Sequence, residues 1–210
     1  GENLFALEKG LPNLLRHVEN VTKNYGLPCV VAVNRFPTDT EAELAMVKEK
    51  CASLGVNAVV SEVWGRGGEG GLDLAAEIIK LAEGRNDFQF VYEDDLSLKE
   101  KIEAVASKIY RADGVDFTAA AARQMASIEK DGYSRLPVCI AKTQYSFSDD
   151  PKLLGAPEDF RITVREVKLC SGAGFVVVKT GDIMTMPGLP KVPAAEKIDV
   201  DENGKITGLF

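Results

Sequence analysis

The chain has 210 residues, 45% of them apolar, and its 25 basic and 32 acidic side chains leave a net charge of −7. That length and apolar content bury a core as one large domain or two small ones. The acidic balance argues against non-specific binding of nucleic acid or an anionic membrane, and no apolar run is long enough to span a bilayer.

Residues 1–24 read as one amphipathic helix with Leu4, Leu7 and Leu11 on one side. The start lacks the cationic and apolar regions of a signal peptide, and opening directly on a helix is what a piece of a longer protein would do. A strand follows at 29–34. Thr40-Glu-Ala-Glu43 has capping-box form, so a helix is predicted over 41–54, with Leu44, Val47, Cys51 and Leu54 at helical spacing and a stop at Gly55. A second strand at 57–63 leads to a glycine loop. A helix over 72–83 then carries Leu72, Ala75, Ala76, Ile79 and Ala82 on one face. This β-α-β-α alternation predicts a parallel sheet with right-handed crossovers.

Residues 85–95 read as a linker, and a helix is predicted at 97–110. Asp116 or Thr118 caps another, near 117–130, and a strand runs over 136–142. The alternation in 161–169 marks a half-exposed strand, paired with 174–180 across Ser171-Gly-Ala-Gly174. Asn203-Gly204 signals a hairpin in the tail. The fold class expected is therefore α/β. A parallel β-α-β-α segment of a P-loop-type domain, 1–88, precedes a smaller α+β domain with antiparallel hairpins, 89–210. The four cysteines, Cys29, Cys51, Cys139 and Cys170, show no Cys-x-x-Cys spacing. Free thiols in a reducing cytoplasm are expected, with Cys29 and Cys139 buried in apolar runs. The one histidine, His17, rules against a His-based metal site or a Ser-His-Asp triad and reads as a packing or surface residue.

Two strand ends carry the clearest site signal. Cys29-Val-Val-Ala-Val-Asn-Arg-Phe36-Pro37 and Asn57-Ala-Val-Val-Ser-Glu-Val-Trp64 are each an apolar run that delivers an aromatic residue where the strand stops. Ligands of open α/β sheets bind beyond the carboxyl ends of the strands. Phe36 and Trp64 are either core aromatics at the sheet edge or two faces that clamp a planar ring. Asn34-Arg35 stands where a P-loop protein carries its Asn-Lys-x-Asp base-reading motif, but Pro37 replaces the Asp, so guanine specificity is not expected. Asn34 either contacts a ligand or braces the loop. Gly65-Arg-Gly-Gly-Glu-Gly-Gly71 is not a phosphate-binding fingerprint. It is either a mobile linker or a loop whose glycines approach a ligand, with Arg66 supplying charge. Asn34, Arg35, Arg66, Gly67 and Gly68 are thus candidate pocket or nucleotide contacts. The polar loop 142–150 is either structural or site-facing, and 181–193, with three prolines, reads as a rigid connector. No Gly-x-x-x-x-Gly-Lys-Ser/Thr occurs anywhere.

Val33-Asn-Arg-Phe36 with Thr38-Asp-Thr-Glu-Ala-Glu43, and Trp64-Gly-Arg-Gly-Gly-Glu-Gly-Gly71, resemble formate–tetrahydrofolate ligase (10-formyltetrahydrofolate synthetase). So do Cys139-Ile-Ala-Lys-Thr-Gln-Tyr-Ser-Phe-Ser-Asp-Asp150 and Met184-Thr-Met-Pro-Gly-Leu-Pro-Lys-Val-Pro-Ala-Ala195. The resemblance runs over essentially all 210 residues and is to the C-terminal portion of that enzyme only. It implies a cytoplasmic, ATP-dependent ligase joining formate to tetrahydrofolate through formyl phosphate, with Phe36 and Trp64 stacking on the folate. It also implies ATP, Mg²⁺, a monovalent cation and a homo-oligomer. None of the metal sites is located here, and the family's P-loop belongs to the missing N-terminal part. The chain alone is therefore expected to be inactive, and no catalytic acid or base is assigned. The alternatives are a non-catalytic folate- or nucleotide-binding module and a GTPase-like P-loop module without its front half.

Overall fold

The computed structural model describes residues 1–181, 183 and 190–208, so the connector expected at 181–193 lies mostly outside the described residues. The architecture is mixed α/β, with both parallel and antiparallel strand pairs. Helix α1 (Leu4–Glu19) begins at Asn3, whose side chain accepts from the Ala6 N–H, and runs into a π-helical turn at Asn20–Asn24. Strands β1 (Val30–Asn34) and β2 (Asn57–Ser61) pair in parallel, from Val30 opposite Asn57 to Asn34 opposite Ser61. Their crossover helix, α2 (Glu41–Ala52), carries the expected capping box. Glu43 N–H donates to Thr40 Oγ1 at 3.3 Å, and Thr40 N–H to Glu43 Oε2 at 3.1 Å. Leu44 and Cys51 are its buried residues.

Beyond β2 the chain departs from expectation. The strand stops at Ser61, and the glycine run is helical rather than an open loop. Helix α3 (Val63–Arg66) and a 3-10 turn at Gly67–Gly71 lead straight into α4 (Leu72–Ala82). The cause is local: the Glu62 N–H donates to Gly70 O at 3.0 Å, folding the glycines back under the strand end. The apolar residues named on α4 face solvent. Leu72 is 64% and Ile79 60% exposed, and Ala75, Ala76 and Ala82 are exposed too. The less exposed side carries Leu74, Glu77 and Leu81, with Glu77 accepting from Asn57 Nδ2 at 2.7 Å, a polar tie that holds this side against β2.

The expected linker has no regular element but is fastened along its length. Asp87 and Gln89 N–H groups donate to Gly26 O and Tyr25 O at 3.0 and 3.1 Å, and Lys108 Nζ donates to Val91 O at 2.7 Å. Gly26, at φ 64°, is required there, because a Cβ would lie 2.0 Å from the Asp87 carbonyl oxygen.

After helix α5 (Leu98–Val105) comes a strand not foreseen, β3 (Gly114–Phe117). Four residues with one buried side chain, Val115, leave no local signal; the strand exists because it pairs in parallel with Arg161–Val164. Thr118, just beyond it, caps α6 (Ala119–Lys130) by accepting from the Ala121 N–H at 3.2 Å. With β4 (Val138–Ala141), β5 (Arg161–Cys170) and β6 (Phe175–Thr180) it forms a sheet in the order β3-β5-β6-β4. The central β5–β6 hairpin is antiparallel, as expected, but both outer pairs are parallel. Leu98, Ile102, Ile162, Val164, Val176 and Val178 form its core. Lys101 is fully buried there, its Nζ donating to Ser134 O and Leu136 O at 2.9 and 3.3 Å. Loop 142–150 buries Phe147, whose ring lies 4.5 Å from that of His17. The tail hairpin pairs β7 (Asp199–Val200) with β8 (Ile206–Thr207) around Asn203-Gly204.

All four cysteines are free, but Cys139 is exposed and Cys29 only half-buried. Strand alternation explains the correction at Cys139: Val138 and Ile140 pack against the core, so the residue between them faces outward.

Tyr110 also packs against this core, and burial pushes its phenol up to about 12, with smaller contributions from Cys139 and Tyr25. An unfolded tyrosine ionises near about 10. Between those values the folded chain keeps a proton that the unfolded chain releases. This contribution is therefore complete below about pH 10 and declines as pH rises towards about 12, by at most about 1.4 kcal/mol per pH unit. Tyr110→Phe should flatten that alkaline slope in urea unfolding measured between about pH 8 and pH 11.5. Equal slopes in the two proteins would assign the effect to another group.

Candidate functional site

The site is built where β1 and β2 end level. One residue past Asn34, the Arg35 N–H still reaches across to Ser61 O at 3.0 Å. Pro37 then ends any pairing, since it has no N–H to give. The turn closes on Asp39, which accepts from the Phe36 N–H at 2.8 Å and donates its own N–H to Phe36 O at 3.0 Å. On the other strand the Gly65 and Arg66 N–H groups bond back to Glu62 O at 3.1 and 2.9 Å, which starts α3. This turn carries Trp64 towards β1, where its indole Nε1 donates to Arg35 O at 3.2 Å. The two strand ends are therefore laced together by one backbone and one side-chain hydrogen bond.

Between them lies a crevice of about 190 Å³ lined by Arg35, Phe36, Pro37, Glu62, Trp64, Gly65 and Arg66. Phe36 is 60% and Trp64 68% exposed, so neither is a core residue. Charges alternate along the rim. Arg35 pairs with Glu41 at 2.6 Å and lies 3.9 Å from Glu62, and Arg66 donates to Glu62 at 3.0 Å. Such exposed pairs add little stability, but they hold two guanidinium groups and one carboxylate beside two aromatic faces. The arrangement suits a planar, polar-edged ring system stacked on aromatic faces.

Of the residues singled out from sequence, Phe36, Trp64, Arg35 and Arg66 share this crevice. Asn34 does not; it lines a separate groove of about 380 Å³ with Leu7, Leu11, Val33 and Val47. Gly67 and Gly68 do not line the crevice either, although Gly67 takes a conformation, φ 59° and ψ −147°, that essentially only glycine adopts. Glu62 and Pro37 were not singled out. For Glu62 a signal was there: it precedes Arg66 by four residues, the spacing of a helical ion pair. A larger cavity of about 560 Å³, walled by Tyr25, Phe90, Tyr92 and Tyr110 with Asp94 and Arg135, contains none of the expected site residues. Among the described residues no cluster of three or more His, Cys, Asp or Glu could hold a metal ion, and no helix is long and apolar enough to cross a membrane.

A family model described as formate–tetrahydrofolate ligase matches residues 1–210. The formate–tetrahydrofolate ligase of Symbiobacterium thermophilum is 59% identical over 209 residues, covering 100% of this chain and 38% of that protein. The chain thus spans well under half the length of this curated relative.

The glycine turn makes a testable demand. A Cβ on Gly70 would lie 2.5 Å from the Glu62 carbonyl carbon and oxygen, whereas one on Gly68 would meet nothing within 4 Å. Gly70→Ala should therefore cost about 1–3 kcal/mol and shift the emission of Trp64, the sole tryptophan. Gly68→Ala should do neither. Urea unfolding followed by tryptophan fluorescence compares the two; matching profiles would mean that Gly70 does not shape the crevice.

Proposed function

This chain belongs to the formate–tetrahydrofolate ligase family, and we propose that it forms the folate-stacking part of an enzyme that makes 10-formyltetrahydrofolate from formate, tetrahydrofolate and ATP, releasing ADP and phosphate. The observation that carries the reading is the pair of exposed aromatics, Phe36 and Trp64, lining one crevice beyond the carboxyl ends of two parallel strands. The pterin ring lies between them. Stacking fixes the folate so that its nitrogen meets the formyl carbon of formyl phosphate; the C–N bond forms, the C–O bond to phosphate breaks, and the nitrogen gives up its proton. What this segment supplies is position, which for a bimolecular step is a large part of catalysis.

Nucleotide handling belongs elsewhere in the enzyme. The sequence has no phosphate-binding P-loop, so the ATP phosphates are gripped by the remainder of the polypeptide; Mg²⁺ and a monovalent cation are expected of the whole enzyme and are not located in this chain. In this reading residues 1–88 complete a P-loop-type nucleotide- and folate-binding domain, and 89–210 form a smaller domain beside it. The whole enzyme works as a homo-oligomer in the cytoplasm.

Two outcomes test the proposal. The isolated chain, given formate, ATP, Mg²⁺ and tetrahydrofolate, should yield no 10-formyltetrahydrofolate above a no-enzyme control; folate-dependent ADP release would overturn that assignment. In a complete enzyme carrying this segment, Trp64→Ala should weaken tetrahydrofolate binding by roughly 1–3 kcal/mol, about 5- to 150-fold, from lost stacking and ring burial. ATP binding should change little, and Trp64→Phe should recover part of the loss. A raised KM for ATP with an unchanged KM for folate would instead give the crevice to the nucleotide.

A further inference from the structure

We propose that Glu62 is the specificity-determining residue of the crevice, its carboxylate reading the donor edge of the pterin ring; the inference rests on the folate-stacking reading above. A pterin presents two parallel donors on one edge, the N3–H and the 2-amino group, and a carbonyl acceptor beside them. Stacking on Phe36 and Trp64 cannot tell such a ring from another flat heterocycle, because any aromatic face stacks. Discrimination needs a hydrogen-bonding group that the wrong ring leaves unpaired in the site.

The lining residues offer few choices. Phe36, Pro37 and Gly65 have no polar side-chain atom, and the Trp64 Nε1 is committed to Arg35 O at 3.2 Å. Arg35 and Arg66 are donors only. Glu62 is the sole side-chain acceptor among the lining residues. Its acceptor capacity is not used up. Arg66 donates to Oε2 at 3.0 Å, but the Arg35 guanidinium stands 3.9 Å from Oε1, too far for a hydrogen bond, and no described residue donates to that oxygen. A carboxylate has about four lone-pair sites, so Oε1 is open to a ligand while the ion pair with Arg66 holds the group in place. The same arginines, as donors, match the ring carbonyl next to the two pterin donors. The position of Glu62 is also rigid: it is the last residue before α3, its N–H is held by Gly70 O and its carbonyl accepts from Gly65 and Arg66.

The test uses a complete enzyme carrying this segment, with tetrahydrofolate and its 2-desamino-2-methyl analogue, which stacks equally but lacks the amino donor. The wild type should favour tetrahydrofolate over the analogue by about tenfold or more, the scale of a charge-assisted hydrogen bond. Glu62→Gln and Glu62→Ala should each raise the KM for tetrahydrofolate about tenfold, raise that for the analogue, which keeps only the N3–H donor, by clearly less, and so narrow the preference. A variant that merely disturbs the loop would weaken both substrates alike, and that result, or a preserved preference, overturns the proposal. The companion variant Trp64→Ala separates the two readings. If it spares folate, the stacking assignment fails. If it weakens folate while the Glu62 variants keep the preference, only the role of Glu62 fails.

Discussion

Everything at the candidate site depends on the register in which β1 and β2 pair. Asn34 stands opposite Ser61, so both strands run out at the same level, and both aromatics arrive on the same side of the sheet's end. A slip of one residue would invert the faces of a strand and break the hydrogen bond from Arg35 N–H to Ser61 O. That bond in turn fixes the Arg35 carbonyl as the acceptor for the Trp64 indole, which ties the second aromatic to the first strand. Two large aromatics left mostly exposed forgo the favourable burial that a core would give them. Exposed apolar surface rimmed by charged groups is the usual mark of a binding face.

Much of this was legible in the chain. The β-branched runs before Phe36 and Trp64, the capping box at Thr40 and Glu43, and the β5–β6 turn are all local signals, and each is present in the structure. What could not be read depends on distant partners. Strand β3 is created by pairing with β5, and Gly114-Val-Asp-Phe117 has no strand character of its own. The glycine run was expected as a loop because glycine disfavours helix. The structure overrides that preference through one backbone bond that closes the turn, Glu62 N–H to Gly70 O, which a side chain at position 70 would block. On α4 the apolar stripe is legible as a stripe, but a stripe does not say what it faces. The Asn57–Glu77 hydrogen bond holds the other side of the helix against β2.

The four-stranded sheet and the β1–β2 pair are held together differently. Around the four-stranded sheet, a continuous buried cluster runs from Leu98 to Val178, and even a lysine, Lys101, is enclosed with its charge on two carbonyls. The crevice region has few fully buried side chains and is ordered by backbone turns, a capping box and ion pairs that are largely solvent-exposed. Such a region is expected to open locally at lower free energy than the core. Binding elements are commonly drawn from that end of the stability range, because closing on a ligand requires small rearrangements that a packed core resists.

The size of the crevice decides what chemistry it can host. About 190 Å³ is below the roughly 300–1,000 Å³ typical of pockets that enclose a drug-sized ligand. It accommodates a ring system, not a ligand with a long tail, so the tail of any ligand stacked there lies beyond its mouth. The groups that line it are aromatic faces, two fixed cations and one ion-paired carboxylate. Glu62 lies 3.0 Å from the Arg66 guanidinium and 3.9 Å from that of Arg35. It is well suited to accept a hydrogen bond that stays in place throughout. The same geometry that suits a stacked ring thus suits a positioning role: on the folate-stacking proposal it would hold one end of the substrate while the bond-forming nitrogen lies outside the crevice.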